Sequence, residues 1–177
     1  MYRMMDDGVA CASGQVVLDT PVGGGPALQM VPAVMKGTLI GLDLSNGMLQ
    51  RAAALRDSNH LSGVILARGD ATRLPLLDAC VDRILCFNGL HVMPDKAMVL
   101  DEFFRVLKRG GELWGSVVVS HGGGFLSLPS RVARRLPFFH PPDPVELGSL
   151  AQDAGFTGWR EEGDGALRLF RARKPAR

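Results

Sequence analysis

Between Gln15 and Pro26 the chain reads Gln-Val-Val-Leu-Asp-Thr-Pro-Val-Gly-Gly-Gly-Pro. No other stretch constrains the fold as tightly. Val16, Val17 and Leu18 form a short apolar, mostly β-branched run, the pattern of a strand buried on both faces of a sheet. Asp19 ends the run. Gly23, Gly24 and Gly25 then form a turn in which backbone can approach a ligand closely. Pro26 suits the first position of a helix. Strand, glycine turn and helix N-terminus together aim free N–H groups at one place, as a nucleotide-type site requires. The same residues would also make a tight βα turn that binds nothing, so the rest of the chain has to decide.

The remaining pattern alternates. Strands are expected at Thr38–Leu44, Gly63–Arg68, Val81–Phe87 and Leu113–Val119. Helices are expected from about Pro26 to Met35, shortened or kinked by Pro32, at Gly47–Asp57 behind a Ser45 or Asn46 cap, and at Asp95–Lys108, where Arg109-Gly110-Gly111 ends the helix. Val145–Ala154 reads as a helix closed by Gly155. Phe156–Glu161 and Ala166–Ala172 flank Gly163-Asp164-Gly165 as a hairpin. Strand–helix alternation implies a parallel sheet with right-handed crossovers. The expected fold is therefore α/β, a Rossmann-like three-layer sandwich. Residues 1–14 read as a short, loose N-terminal arm and 15–177 as a single domain. Residues 120–144, rich in Gly, Pro and aromatics, read as an irregular lid or substrate segment.

Composition excludes several functions. A length of 177 residues gives one domain with a sizeable core. A formal charge of +2 supplies no strong field for nucleic acid or an anionic membrane, and the basic stripe of a nucleic-acid binder is missing. Cys11, Cys80 and Cys86 have no metal-type spacing and fit a reducing cytoplasm. No signal peptide is visible, and no apolar run approaches the ~20 residues of a membrane span.

Three acids fall at related places: Asp19 after the first strand, Asp43 after the second, Asp70 after the third. In an open parallel sheet those ends line one crevice. Asp43 lies about 20 residues past the glycine turn, where an acid that bonds ribose hydroxyls belongs. Each alone reads as a cap or a turn residue; together they read as a site.

Here the chain resembles a known family. Val17-Leu18-Asp19 with Gly23-Gly24-Gly25, Gly41-Leu42-Asp43-Leu44 with Met48-Leu49, Gly69-Asp70-Ala71 with Leu74-Pro75, Asp82 to His91, and Glu102 to Gly111 resemble five ordered motifs of the class I S-adenosylmethionine-dependent methyltransferases. The small-molecule branch that includes the ubiquinone/menaquinone-biosynthesis methyltransferases is the most similar. The resemblance runs from about Gln15 to Val119, with a faint echo at Ala154-Gly155-Phe156. It implies a seven-stranded, mostly parallel sheet of order 3-2-1-4-5-7-6 with an antiparallel C-terminal hairpin. It implies S-adenosyl-L-methionine as cofactor; no metal site is expected. Asp19, Gly23 and Gly25 would hold the methionine part of that cofactor. Asp43, with Leu44 beside it, would take the ribose, and Met48 would lie against the adenine. Asp70 and Ala71 would meet the adenine edge, while Asn88 and Leu90 would line the wall near the sulfonium. His91 and His121, each after a strand, are the candidate catalytic bases, and Asp82 and Arg105 are expected to be structural.

The implied reaction is methyl transfer to O or C of a small, largely apolar acceptor. Pro21 stands where the family has its first glycine. The family also has a longer helical region before its first strand, so the crevice is expected to lack its usual cover. Either a homo-oligomer, which we favour, or folding of the Gly122–Pro142 segment would then close it. The alternative is a binding or scaffold protein of the same fold without transfer. An NAD(P)-dependent oxidoreductase needs glycines where Pro21 and Pro26 stand.

Overall fold

The computed structural model describes residues 1–10, 14–32, 34–119, 140–163 and 165–177. Its strands are β1 (Val16–Asp19), β2 (Thr38–Asp43), β3 (Val64–Arg68), β4 (Val81–Phe87), β5 (Leu107–Val118), β6 (Thr157–Glu162) and β7 (Leu167–Arg173). Its described helices are α1 (Tyr2–Val9), α2 (Asn46–Ser58), α3 (Lys96–Val106) and α4 (Pro144–Asp153), with 3-10 turns at Ala27–Met30 and Leu90–Val92. The strands form one sheet in the order β3-β2-β1-β4-β5-β7-β6. β1 to β5 run parallel, and β7 lies antiparallel to both β5 and β6. Order and hairpin are those the resemblance implies.

The period-two alternation of β4 shows how the sheet makes two cores. Ile84 and Cys86 point to one face, packed with Val99, Leu100 and Phe103 of α3 and Leu147 and Ala151 of α4. Leu85 and Phe87 point to the other, packed with Met4, Met5 and Val9 of α1, Leu28 of the 3-10 turn and Ala52 of α2. β1 has Val17 and Leu18 buried on opposite faces, which is why its run is apolar throughout. Helix starts are set by short polar side chains. Ser45 Oγ accepts from Met48 N–H, Asp95 Oδ1 from Met98 N–H and Asp143 Oδ1 from Val145 N–H.

The structure departs from the sequence reading in three places. The helix expected over Pro26–Met35 is only the 3-10 turn Ala27–Met30. Val31 is already extended, with φ −71 and ψ 124, as the clash of a following proline demands. The helix expected to reach Lys108 ends at Val106, and β5 starts at Leu107. Leu107 pairs with Val81 before a bulge at Gly110, φ +75, and β5 rejoins the ladder at Glu112 opposite Arg83.

The third departure bears on function. Residues 2–9 of the expected loose arm are a helix, with Met4, Met5 and Val9 buried. Arg83 secures its carboxyl end, where one guanidinium nitrogen donates to the carbonyls of Asp7, Gly8 and Ala10. Gly8 passes close to the sheet: a Cβ there would lie 2.8 Å from Leu85 Cδ2. Asp82 and Arg105 are structural as read. Asp82 accepts from Val16 N–H and Lys108, and Arg105 binds Glu102, Asp78 and the carbonyls of Leu74 and Leu76. Among the described residues no helix is long and apolar enough to cross a membrane. Cys11, His121, Gly122–Gly124, Phe125, Phe138 and Phe139 lie outside the described residues.

Candidate functional site

β1 and β2 end side by side, with Asp19 paired to Gly41 in register. The turn after β1 doubles back over β2: Val22 N–H donates to Leu42 O. Gly23 follows with φ +56, and a Cβ built there would meet nothing within 4 Å. Its side faces open space, and its conformation disfavours any L side chain. Gly23 N–H donates to Asp43 Oδ2 and Ser45 N–H to Asp43 Oδ1, each at 2.8 Å. Asp43 thus sets the glycine turn against the start of α2. Each oxygen retains acceptor capacity.

Asp19 is in a harsher environment. It is 2% exposed, and no hydrogen-bond donor reaches its carboxylate among the described residues. Burial, reinforced by the negative charge of Asp43, pushes its carboxyl up to about 8. A buried carboxylate without a donor or cation is costly. Such a group has a rationale where a cationic ligand completes it.

The wall across β1 comes from β4 and β5. Asn88 follows β4 with φ +54, a conformation that Asn tolerates better than most residues. Ser116 of β5, fully buried, holds it there: Ser116 Oγ donates to Asn88 Oδ1 and accepts from Asn88 N–H, both at 3.1 Å. The Asn88 amide then reaches the Met1 thioether, 3.6 Å from Nδ2, and Ser116 Oγ lies 3.7 Å from the same sulfur. Met1, the residue before α1, therefore touches the crevice end of β4 and β5, where Asn88 itself stays exposed. Ser116 and Met1 carry no mark in the sequence. Ser116 lies inside an apolar strand run, and a partner across the sheet gives no local signal.

His91 is 8% exposed. Its Nδ1 accepts from Val118 N–H at 3.2 Å, so the neutral ring carries its proton on Nε2. Burial, with Lys96 nearby, lowers its pKa to about 4. The ring is a neutral link between the Leu90–Val92 turn and β5, and the nitrogen a base would use is already engaged. His140, exposed, donates its backbone N–H to His91 O. Leu90 is fully buried in the core, so its side chain does not line the crevice as expected. Leu44 and Met48, 59% and 39% exposed, stand open beside the end of β2. Asp70 is also exposed and shapes its own turn, accepting from both N–H and Oγ1 of Thr72, which holds its carboxyl below the ordinary value. Ala71 is half-buried next to it.

The methyltransferase domain family matches residues 18–115, more than half of the chain and all of this crevice up to β5. The chain belongs to the class I S-adenosylmethionine-dependent methyltransferases. Among relatives of this chain, the demethylmenaquinone methyltransferase of Oceanobacillus iheyensis is 34% identical over 103 residues, 57% of this chain and 43% of the relative. That of Lactiplantibacillus plantarum is 41% identical over 78 residues, 44% of this chain and 33% of the relative. The matched region is thus less than half the length of these relatives. YcgJ from Bacillus subtilis shares the methyltransferase fold with a TM-score of 0.81 at 14% identity, covering 99% of both chains. Phosphoethanolamine N-methyltransferase 2 of Haemonchus contortus, solved with S-adenosyl-L-methionine, shares it with a TM-score of 0.83 at 17% identity, covering 98% of this chain and 52% of that one. The cyclase SpnF has the same fold, with a TM-score of 0.82 at 18% identity, covering 99% of this chain and 80% of that one.

Proposed function

We propose that this methyltransferase transfers a methyl group from S-adenosyl-L-methionine to O or C of a small, largely apolar acceptor. The observation that carries the proposal is Asp19: a buried carboxyl with no donor among the described residues, beside a glycine turn that leaves open space and an acid that orders the turn. The cofactor fits that donor set, because its amino-acid end carries an ammonium that would neutralise Asp19. Asp43 would accept the ribose hydroxyls on its remaining lone pairs. Met48, with Leu44, would lie along the adenine, and Asp70 and Ala71 at its edge. When bound, the cofactor supplies an electrophilic methyl group on a sulfonium.

The chain's own part is to hold and orient. Ser116 fixes Asn88 at the crevice end of β4, where its amide would line the wall near the bound sulfonium. The demethylmenaquinone methyltransferases it resembles motivate the apolar acceptor. The reducing cytoplasm read from the cysteines belongs to the same proposal, as does a homo-oligomer. His121 stays a sequence-based candidate to take the acceptor's proton.

One observation favours a second reading, a cofactor-binding protein without transfer. His91, the described candidate base, has Nδ1 committed to Val118, and a shared fold does not fix a reaction. Calorimetry with S-adenosylmethionine and with its demethylated product, followed by an acceptor screen, separates the two. Saturable binding and product formation support transfer. Binding without any product supports the second reading, and no binding of either compound refutes both.

A further inference from the structure

The outer half of the sheet carries charge that the methyl-transfer reading does not use. Across β5, β7 and β6, Trp114 faces Arg171 and Arg171 faces Arg160, each pair directly opposite in register. Opposite residues share a face, and Trp114, packed with Met4 and Met5, marks it as the α1 face. The Arg171 guanidinium lies over the Trp114 ring at 4.0 Å, with Arg83 over the same ring at 4.4 Å. The one acid of the neighbouring row, Glu112, is taken by Arg173 at 2.6 Å and approached by Arg83 at 3.6 Å. Glu162, two residues beyond Arg160, forms no ion pair with either arginine among the described residues. Two uncompensated cations therefore stand opposite each other, an arrangement that destabilises a sheet. They border a cavity of about 380 Å³.

We propose that this cavity binds a phosphate-type oxyanion between Arg160 and Arg171. A guanidinium stacked on an aromatic face keeps its N–H edge available, and that edge matches phosphate oxygens bidentately. With Glu112 of the cavity wall taken by Arg173, the charges of Arg160 and Arg171 match the charge of about −1.5 to −2 that a phosphate monoester carries at neutral pH. The anion converts the cross-strand repulsion into attraction. This site is separate from the crevice, and its test does not depend on methyl transfer.

The protein contains two tryptophans. A Trp159→Phe background leaves Trp114 as the reporter, since Trp159 lies stacked on Phe170. Its fluorescence is followed at constant ionic strength against inorganic phosphate, and against phosphatidylcholine vesicles with and without phosphatidic acid. We expect a saturable change with phosphate or with phosphatidic acid, and none with chloride. A response to phosphate assigns a soluble ligand, and one confined to phosphatidic acid vesicles assigns a lipid headgroup. Arg160→Gln and Arg171→Gln should each weaken the response by about tenfold or more, while Arg109→Gln leaves it unchanged. Thermal unfolding without phosphate verifies that the variants fold, with midpoints at or above that of the parent. No saturable response to either probe, or a response in the Arg160 and Arg171 variants as strong as the parent's, overturns the proposal.

Discussion

Asp19→Asn should make the free protein more stable and the cofactor complex weaker. A carboxyl held at about 8 instead of 3.8 is charged in the unfolded chain at neutral pH and mostly protonated in the folded one. The folded-state value is raised, so the associated stability is present below the unfolded value and is lost as pH rises through 8. The loss reaches up to about 4 kcal/mol near pH 7, at about 1.4 kcal/mol for each pH step. An amide of the same shape does not incur it. Urea unfolding should therefore show variant and wild type level near pH 4 and the variant increasingly ahead up to about pH 8.

Cofactor binding should move the other way. Losing one member of a buried charge pair costs about 2–4 kcal/mol, or roughly 30- to 1000-fold in affinity. Wild-type affinity should also climb with pH toward 8, with proton release visible as buffer-dependent heat in calorimetry. An Asp19→Asn variant no more stable than wild type near pH 8, binding the cofactor with equal affinity, would refute the reasoning.

Other outcomes follow from the same geometry. Asp43→Ala removes the acceptor of the Gly23 and Ser45 N–H groups, and calorimetry should show cofactor affinity lower by roughly ten- to a hundredfold. His91 has a depressed value of about 4, so its contribution is present above 6.5 and is lost as pH falls through 4; denaturation midpoints should drop across that window. His91→Asn retains an acceptor for Val118 N–H and should flatten the drop, whereas His91→Leu orphans that N–H at a cost of about 1–3 kcal/mol. Arg83→Ala releases the carboxyl end of α1, and hydrogen exchange should rise over residues 2–9 while the sheet stays protected.

The alternation of strands and helices and the Asp43 position at a strand end are legible because they rest on local features, apolar runs, glycines and acids, whereas the sheet order follows from the family resemblance. What is not legible depends on distant partners. Met4, Met5 and Val9 carry too short a pattern to announce a helix, and α1 acquires its reason from Leu85 and Trp114 across the sheet. The turn at Ala27–Met30 reads as a longer helix because Pro26 starts one well, yet Pro32 dictates an extended Val31. His91 reads as a base because it follows a strand at the crevice. Only the position of Val118 N–H shows where its lone pair goes. Asp19 is legible as an acid at a strand end, but the burial that gives it energetic weight is a property of the assembled sheet.

That burial extends beyond the crevice to the lifetime of the protein in a cell. A molecule whose empty form must protonate a buried acid, and whose loaded form would pair that acid with a cationic ligand, should unfold more often when its ligand is scarce. Ligand binding adds about 2.7 kcal/mol of protection when the free ligand stands at 100 times its dissociation constant. Quality-control proteases act on the unfolded fraction, so shifts of that size change abundance several-fold. Steady-state amounts of this protein should thus rise and fall with the supply of methyl donor, without a transcriptional signal, and an Asp19→Asn chain should persist at a constant level whatever that supply.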